Sequence, residues 1–123
     1  FQAQKILNWQ KKNCSYKETC DSIIIVIGYI HDDISIPLHG KSDWGIQGLG
    51  SIGKYQCLVS DFRIKNKNNL WKVTLHEIGH AYGLNHCPNN SCIMQDCKGK
   101  PNWKNKKWFC NHCDSIWNPA GLD

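Results

Sequence analysis

The sequence predicts an α+β domain: a twisted mixed β-sheet carrying one chemically equipped helix, closed by a short C-terminal helical segment. Three observations lead there. Ile23 to Ile30, IIIVIGYI, is a β-branched run too short for a buried helix and suited to a strand. Residues 70–82, LWKVTLHEIGHAY, repeat instead on the helical period, with Val73, His76, Glu77 and His80 on one face and Trp71, Leu75, Ile78 and Tyr82 on a neighbouring one. Eight cysteines, five of them beyond residue 86, are too many for an ordinary cytosolic domain of 123 residues but can be accounted for by metal. With 123 residues the chain makes one domain over 1–123, in which 1–86 supply sheet and helix and 87–123 the cysteine-rich remainder.

In chain order, residues 1–12 read as an amphipathic helix whose apolar stripe is Phe1, Ile6 and either Trp9 or Leu7. Cys14 and Cys20 enclose five residues and suit either a local disulfide or two free thiols. Ile23 to Ile30 is expected in the middle of the sheet, buried on both faces. His31, Asp32, Asp33 and His39 lack metal-ligand company and read as loop residues. Gly48, Gly50 and Gly53 match GxGxxG, but a dinucleotide fingerprint must open a helix, and Lys54 to Ile64 read as a strand. The glycine-rich stretch is therefore an irregular edge strand. Lys65 to Asn69 is a polar turn with Asn68 or Asn69 as helix N-cap. Gly79, between two histidines, marks close packing by another segment. Gly83 stops the helix at about Tyr82. In the loop from Cys97 to Trp108, the lysines are expected in solvent, with Trp103 and Trp108 tucked against the core. Ile116 and Trp117 close a last helix before Asn118-Pro119.

The helix carries the chemistry. Two histidines four apart can bind one Zn²⁺, and Glu77 beside the first is placed to take a proton from a metal-activated water. The turn at Gly83 brings His86 back as a third ligand. Three neutral imidazoles leave a fourth coordination position open, the arrangement of a hydrolytic zinc site. Composition adds little against this: the net charge of +5 is modest, and the lysines gather at Lys11 to Lys17 and Lys98 to Lys107. No apolar run reaches the roughly 18 residues of a membrane span. No signal peptide is visible, and a first residue of Phe points to a processed or trimmed N-terminus.

HEIGHAYGLNH resembles the metzincin signature HExxHxxGxxH, and Cys87, Cys92, Met94, Cys110 and Cys113 narrow the likeness to the archaemetzincins. The spacing from Met94 to Cys110 is two residues shorter than usual there, and Cys97 is an extra thiol within it. The resemblance implies a metzincin-like fold and a zinc-dependent peptidase, aminopeptidase-like in its cleavage, with two zinc ions. It implies a catalytic zinc on His76, His80 and His86, and a structural zinc on Cys87, Cys92, Cys110 and Cys113. Cys97 competes with Cys92 for that set, and two disulfides are the alternative to the metal. Met94 would be the apolar floor beneath the imidazoles. An edge strand near Trp44, Gly45, Gly48 and Gly50 would bind extended peptide by main-chain pairing. In archaemetzincins a first strand precedes the N-terminal helix, so the chain lacks it or is a shortened member. The expected partner is a peptide or protein substrate, with no nucleic acid and no membrane, for a monomer in a cytoplasmic setting. The rival reading is a non-catalytic zinc module contacting nucleic acid or protein through its lysine-rich loop, which gives Glu77 no purpose.

Overall fold

The computed structural model describes residues 1–14, 24–96 and 102–117. The elements are α1 (Ala3–Asn13), β1 (Val26–Ile30), β2 (Ile34–Leu38), β3 (Lys41–Ile46), β4 (Gly48–Ser51), β5 (Gln56–Ser60), a 3₁₀ turn (Lys67–Asn69), α2 (Leu70–Tyr82) and α3 (Asn111–Trp117). The α+β class and the mixed sheet match expectation. β1 runs parallel to β5 in register Val26↔Gln56 to Ile30↔Ser60, and β4 runs antiparallel to β5. β2 and β3 form a separate antiparallel hairpin. Its register shifts between Ile36 and Leu38, at Pro37, which has no N–H to give to a ladder.

The order β1-β5-β4 corrects one expectation. The Ile23–Ile30 run is not central: its strand begins at Val26, lies at the edge among the described residues, and leaves Ile27 and Tyr29 more than 40% exposed. β5, QCLVS, is central and wholly buried. The physical reason is coverage. α1 packs over one face of β5 through Leu7 on Leu58, whereas Val59 on the other face clusters with Val73 of α2.

α1 also turns differently from its expected stripe. Ala3, Leu7 and Gln10 face the sheet, while Phe1 and Trp9 are exposed. Phe1 serves through its backbone, its carbonyl accepting from Ser35 N–H and its amino group donating to the Asp33 carbonyl. Gln10 is buried because it has work for its amide: Nε2 donates toward the Val26 and Cys57 carbonyls and Gln56 Oε1, at 3.1, 3.0 and 2.8 Å. The edge of the sheet is thereby sewn to the helix with no buried donor wasted.

α2 is the middle layer. One side meets β4 and β5, and the other meets a cluster of Leu84, Cys92, Ile93, Met94, Phe109 and Cys113. Asn69 is its N-cap residue without a side-chain bond, whereas Asn66 caps the preceding 3₁₀ turn by accepting from Asn68 N–H. At the other end Gly83 adopts φ 134°, a left-handed value that glycine tolerates, and Leu84 N–H returns to the Gly79 carbonyl at 2.8 Å. The β4–β5 turn satisfies two more terminal carbonyls: Gly53 N–H donates to His80 and Tyr55 N–H to Ala81. The last helix agrees with expectation as far as Trp117. Cys20, Cys97 and Asn118-Pro119 lie outside the described residues.

Candidate metal centres

Helical spacing puts His76 and His80 one turn apart, and the bend at Gly83 carries His86 back to them. The ring centroids are 4.7 Å apart for His76–His80, 4.7 Å for His80–His86 and 5.4 Å for His76–His86. One nitrogen from each lies within 4.8 Å of the others. Two backbone carbonyls orient the buried pair. His76 Nδ1 lies 2.6 Å from the Ile93 carbonyl and His80 Nδ1 2.7 Å from that of Leu84. A carbonyl can only accept, so each Nδ1 carries the proton and each Nε2 keeps a free lone pair. Burial reinforces the neutral form, pushing His76 down to about 4 and lowering His80 as well. Two neutral, pre-oriented imidazoles with a half-exposed third beside them fit a zinc ion.

Glu77 is buried on the same face, next to β4. Burial pushes its carboxyl up to about 8, while the Gly50 N–H pulls it down. The glycines of β4 make this approach possible. A Cβ on Gly48 would sit 2.6 Å from Glu77 Cγ, and one on Gly50 would sit 2.6 Å from His80 Cβ and 2.8 Å from the Glu77 carbonyl oxygen. On the far side of the helix, Gly79 admits Met94, whose sulfur would lie 2.4 Å from a Cβ there. The expected close packing at Gly79 is therefore present, and the fully buried Met94 supplies it.

The residues of the expected substrate rim separate. Gly48 and Gly50 reach the helix, but Trp44 and Gly45 sit in the hairpin. Trp44 stands against His39 and Lys41, and Gly45 against the guanidinium of Arg63. In the C-terminal loop, Trp103 is buried as expected. Trp108 is not: it lies 47% exposed, donating to Asp114 Oδ1, edge-on to Phe109 and tilted against Trp117. Lys106 also departs from the solvated reading. It is buried, its amino group donating to the Asn102 carbonyl. Side-chain spacing gave no sign of the Ile93 and Leu84 carbonyls, which any residue carries, or of Trp103 facing His76.

The four cysteines form a second cluster, their sulfurs within 4.8 Å of one another. Cys87 and Cys110 sulfurs are 3.7 Å apart. A disulfide needs about 2.05 Å, whereas Zn–S bonds of about 2.3 Å in a tetrahedron place sulfurs about 3.8 Å apart. At this spacing all four are free thiols, in a group able to hold a metal ion. Backbone N–H groups of Met94 and Cys110 point at the Cys92 sulfur, and that of Cys113 lowers the Cys110 thiol, whereas burial raises those of Cys92 and Cys113.

The sequence model of peptidase family M54 matches residues 47–117. An archaemetzincin of Archaeoglobus fulgidus is 30% identical over 117 residues, covering 81% of this chain and 67% of that one. One of Nanoarchaeum equitans is 50% identical over 39 residues, covering 32% of this chain and 22% of its own length. The crystal structure of a Methanopyrus kandleri archaemetzincin superposes with a TM-score of 0.73 at 21% identity, over 97% of this chain and 64% of that one. The malonate complex of the A. fulgidus protein gives 0.63 at 25% identity, over 94% and 68%. The chain thus spans about a fifth to two thirds of the length of these relatives, and on the family match and the A. fulgidus identity it belongs to peptidase family M54, the archaemetzincins.

Proposed function

We propose that the chain is a zinc-dependent peptidase in which His76, His80 and His86 hold the catalytic ion and Glu77 is the general base. The observation that carries this is the convergence of three imidazoles, two of them oriented by carbonyls, on the helix face that also bears a buried carboxylate. A zinc ion on such ligands supplies a Lewis acid that polarises a peptide carbonyl and acidifies water. Glu77 takes the proton of the attacking water and returns it to the leaving amine nitrogen. A carboxyl held near neutrality by burial suits both transfers. Gly50 N–H steadies it, and the Ile93 and Leu84 carbonyls keep the buried imidazoles from turning. The edge of β4 not paired with β5 is the surface for an extended substrate, which supports main-chain pairing at Gly48 and Gly50.

A second, structural zinc on Cys87, Cys92, Cys110 and Cys113 ties residues 87–123 to the sheet-and-helix part, 1–86. Aminopeptidase-like cleavage follows from the family resemblance. It is tested by comparing peptides with free and acetylated N-termini, since only the free ones would then be cut.

The decisive experiment counts zinc and follows hydrolysis in wild type, Glu77→Gln and His80→Ala. Glu77→Gln keeps both ions and loses hydrolysis. His80→Ala keeps only the cysteine-bound one. A Glu77→Gln protein as active as wild type would remove the general base from the mechanism.

A further inference from the structure

We propose that Trp103 is a positioning residue that couples the orientation of His76 to the seat of strand β4. This rests on the reading of His76 as a metal ligand. The indole stands edge-on to the His76 ring, with centroids 5.9 Å apart and planes at 78°. It is 8% exposed and packs with Val59 of β5, Ile64 and Val73 of α2. Its own position is fixed at three further points. Nε1–H donates to Gln47 Oε1 at 3.2 Å, the Trp103 carbonyl accepts from Lys72 Nζ at 2.6 Å, and Lys106 Nζ lies 6.0 Å from the ring centroid.

Gln47 gives these contacts their meaning. It is the single residue between β3 and β4, and its carbonyl accepts from Ser60 N–H at the end of β5. The next residue, Gly48, lies against Glu77. One indole therefore touches a metal-binding imidazole with its ring and, with its N–H, grips the lead-in to the strand lying on the carboxylate. His76 is held at its Nδ1 by the Ile93 carbonyl, which sets the rotation of the ring but does not fill the space beside it. The Trp103 edge fills that space and holds the ring's flank in place, because protein interiors yield little once filled. Trp103 touches no reacting atom in this account. Its effect passes through His76 and Gln47.

The test uses the full chain, loaded first with zinc and then with Co²⁺ at the histidine site. Zinc affinity is read by competition with a chelator, and ligand geometry by the visible absorption of cobalt. The variants are Trp103→Leu, Gln47→Leu and Gln47→Glu, the last of which keeps an acceptor oxygen at the same place. Trp103→Leu is expected to weaken zinc at the histidines about tenfold and to shift the cobalt bands, as loss of support around a ligand generally does. Gln47→Leu should move the bands in the same direction, and Gln47→Glu should restore them. The proposal is overturned if Trp103→Leu and Gln47→Leu only lower thermal stability, with cobalt spectrum and affinity as in wild type. Should Trp103→Leu fail to fold, an unchanged spectrum in Gln47→Leu overturns it equally. Failure of the underlying reading looks different: wild type itself would then hold no metal that His80→Ala removes.

Discussion

Replacing Gly50 by alanine tests the contact on which the site is built. The new Cβ would fall 2.6 Å from His80 Cβ and 2.8 Å from the Glu77 carbonyl oxygen, where packed atoms sit about 3.5 Å apart. Neither neighbour is the loose end of a side chain, so β4 must retreat from α2 by nearly 1 Å, a distance on the order of the shortfall. Overpacking of this kind costs about 1–3 kcal/mol. The retreat also weakens the Gly50 N–H bond to the buried Glu77 carboxyl, a charge-assisted bond of about 1.5–3 kcal/mol. Restricting the unfolded chain returns about 0.4–1 kcal/mol. The net loss is about 2–4 kcal/mol, which for a domain of this size lowers the unfolding midpoint by roughly 10 °C. Thermal unfolding of the zinc-loaded protein measures it, and peptide hydrolysis should fall in parallel because Glu77 and His80 move. Gly40→Ala is the control: its φ of 74° carries a left-handed penalty of about 1–2 kcal/mol, but open space surrounds it. A Gly50→Ala protein as stable and active as wild type would refute the argument that β4 rests directly on the helix.

Four further outcomes follow from other contacts. When the histidine site is emptied by mild chelation, Glu77→Gln should stabilise the protein at neutral pH. The folded carboxyl titrates near 8 against 4.5 unfolded, so its contribution is present below 4.5 and lost as pH rises toward 8. At pH 7 the gain is on the order of 3 kcal/mol, read from urea midpoints, and it should vanish at pH 4. His76 has the opposite slope: with its folded value near 4 against 6.5 unfolded, its contribution is present above 6.5 and lost as pH falls toward 4. Cys92→Ala should reduce zinc by one ion per chain and open the cluster holding Met94 and Phe109, seen as protease cleavage after residue 86. Gln10→Ala strips the Val26 and Cys57 carbonyls of their amide donor, and a loss of about 2–3 kcal/mol in urea unfolding is expected with zinc content unchanged.

What could be read from the sequence was local. The His76, Glu77 and His80 face follows from the helical period alone, and Gly83 announced the bend because few residues accept its backbone angle. Gly79 gave warning of close packing, and Met94 answers it. The misread features depend on what lies across the fold. An IIIVIGYI run looks more buried than QCLVS, but burial was decided by which strand both helices cover, and that was β5. Gln10 is no part of the expected apolar stripe, and it is buried because the carbonyls of two strands lie beneath it. Lys106 and Trp108 exchange the expected places of lysine and tryptophan because Lys106 finds a carbonyl and Trp108 finds Asp114. The partners of His76 and His80 are main-chain oxygens, which leave no mark in a sequence.

The parallel pairing of β1 with β5 has a kinetic consequence. Val26 meets Gln56, a separation of 30 residues (56 − 26), and Gln10 bridges 46 residues to reach the same strand. β5 can enter the middle of the sheet only after the hairpin and β4 have been looped past it, so the chain must close large loops before it gains their contacts. Until that closure β5, joined to β4 by a short turn, leaves its other edge unpaired and open to a second chain. The slow step of folding and the moment of greatest exposure to aggregation therefore coincide on QCLVS, and dilution during refolding should raise the yield of folded protein.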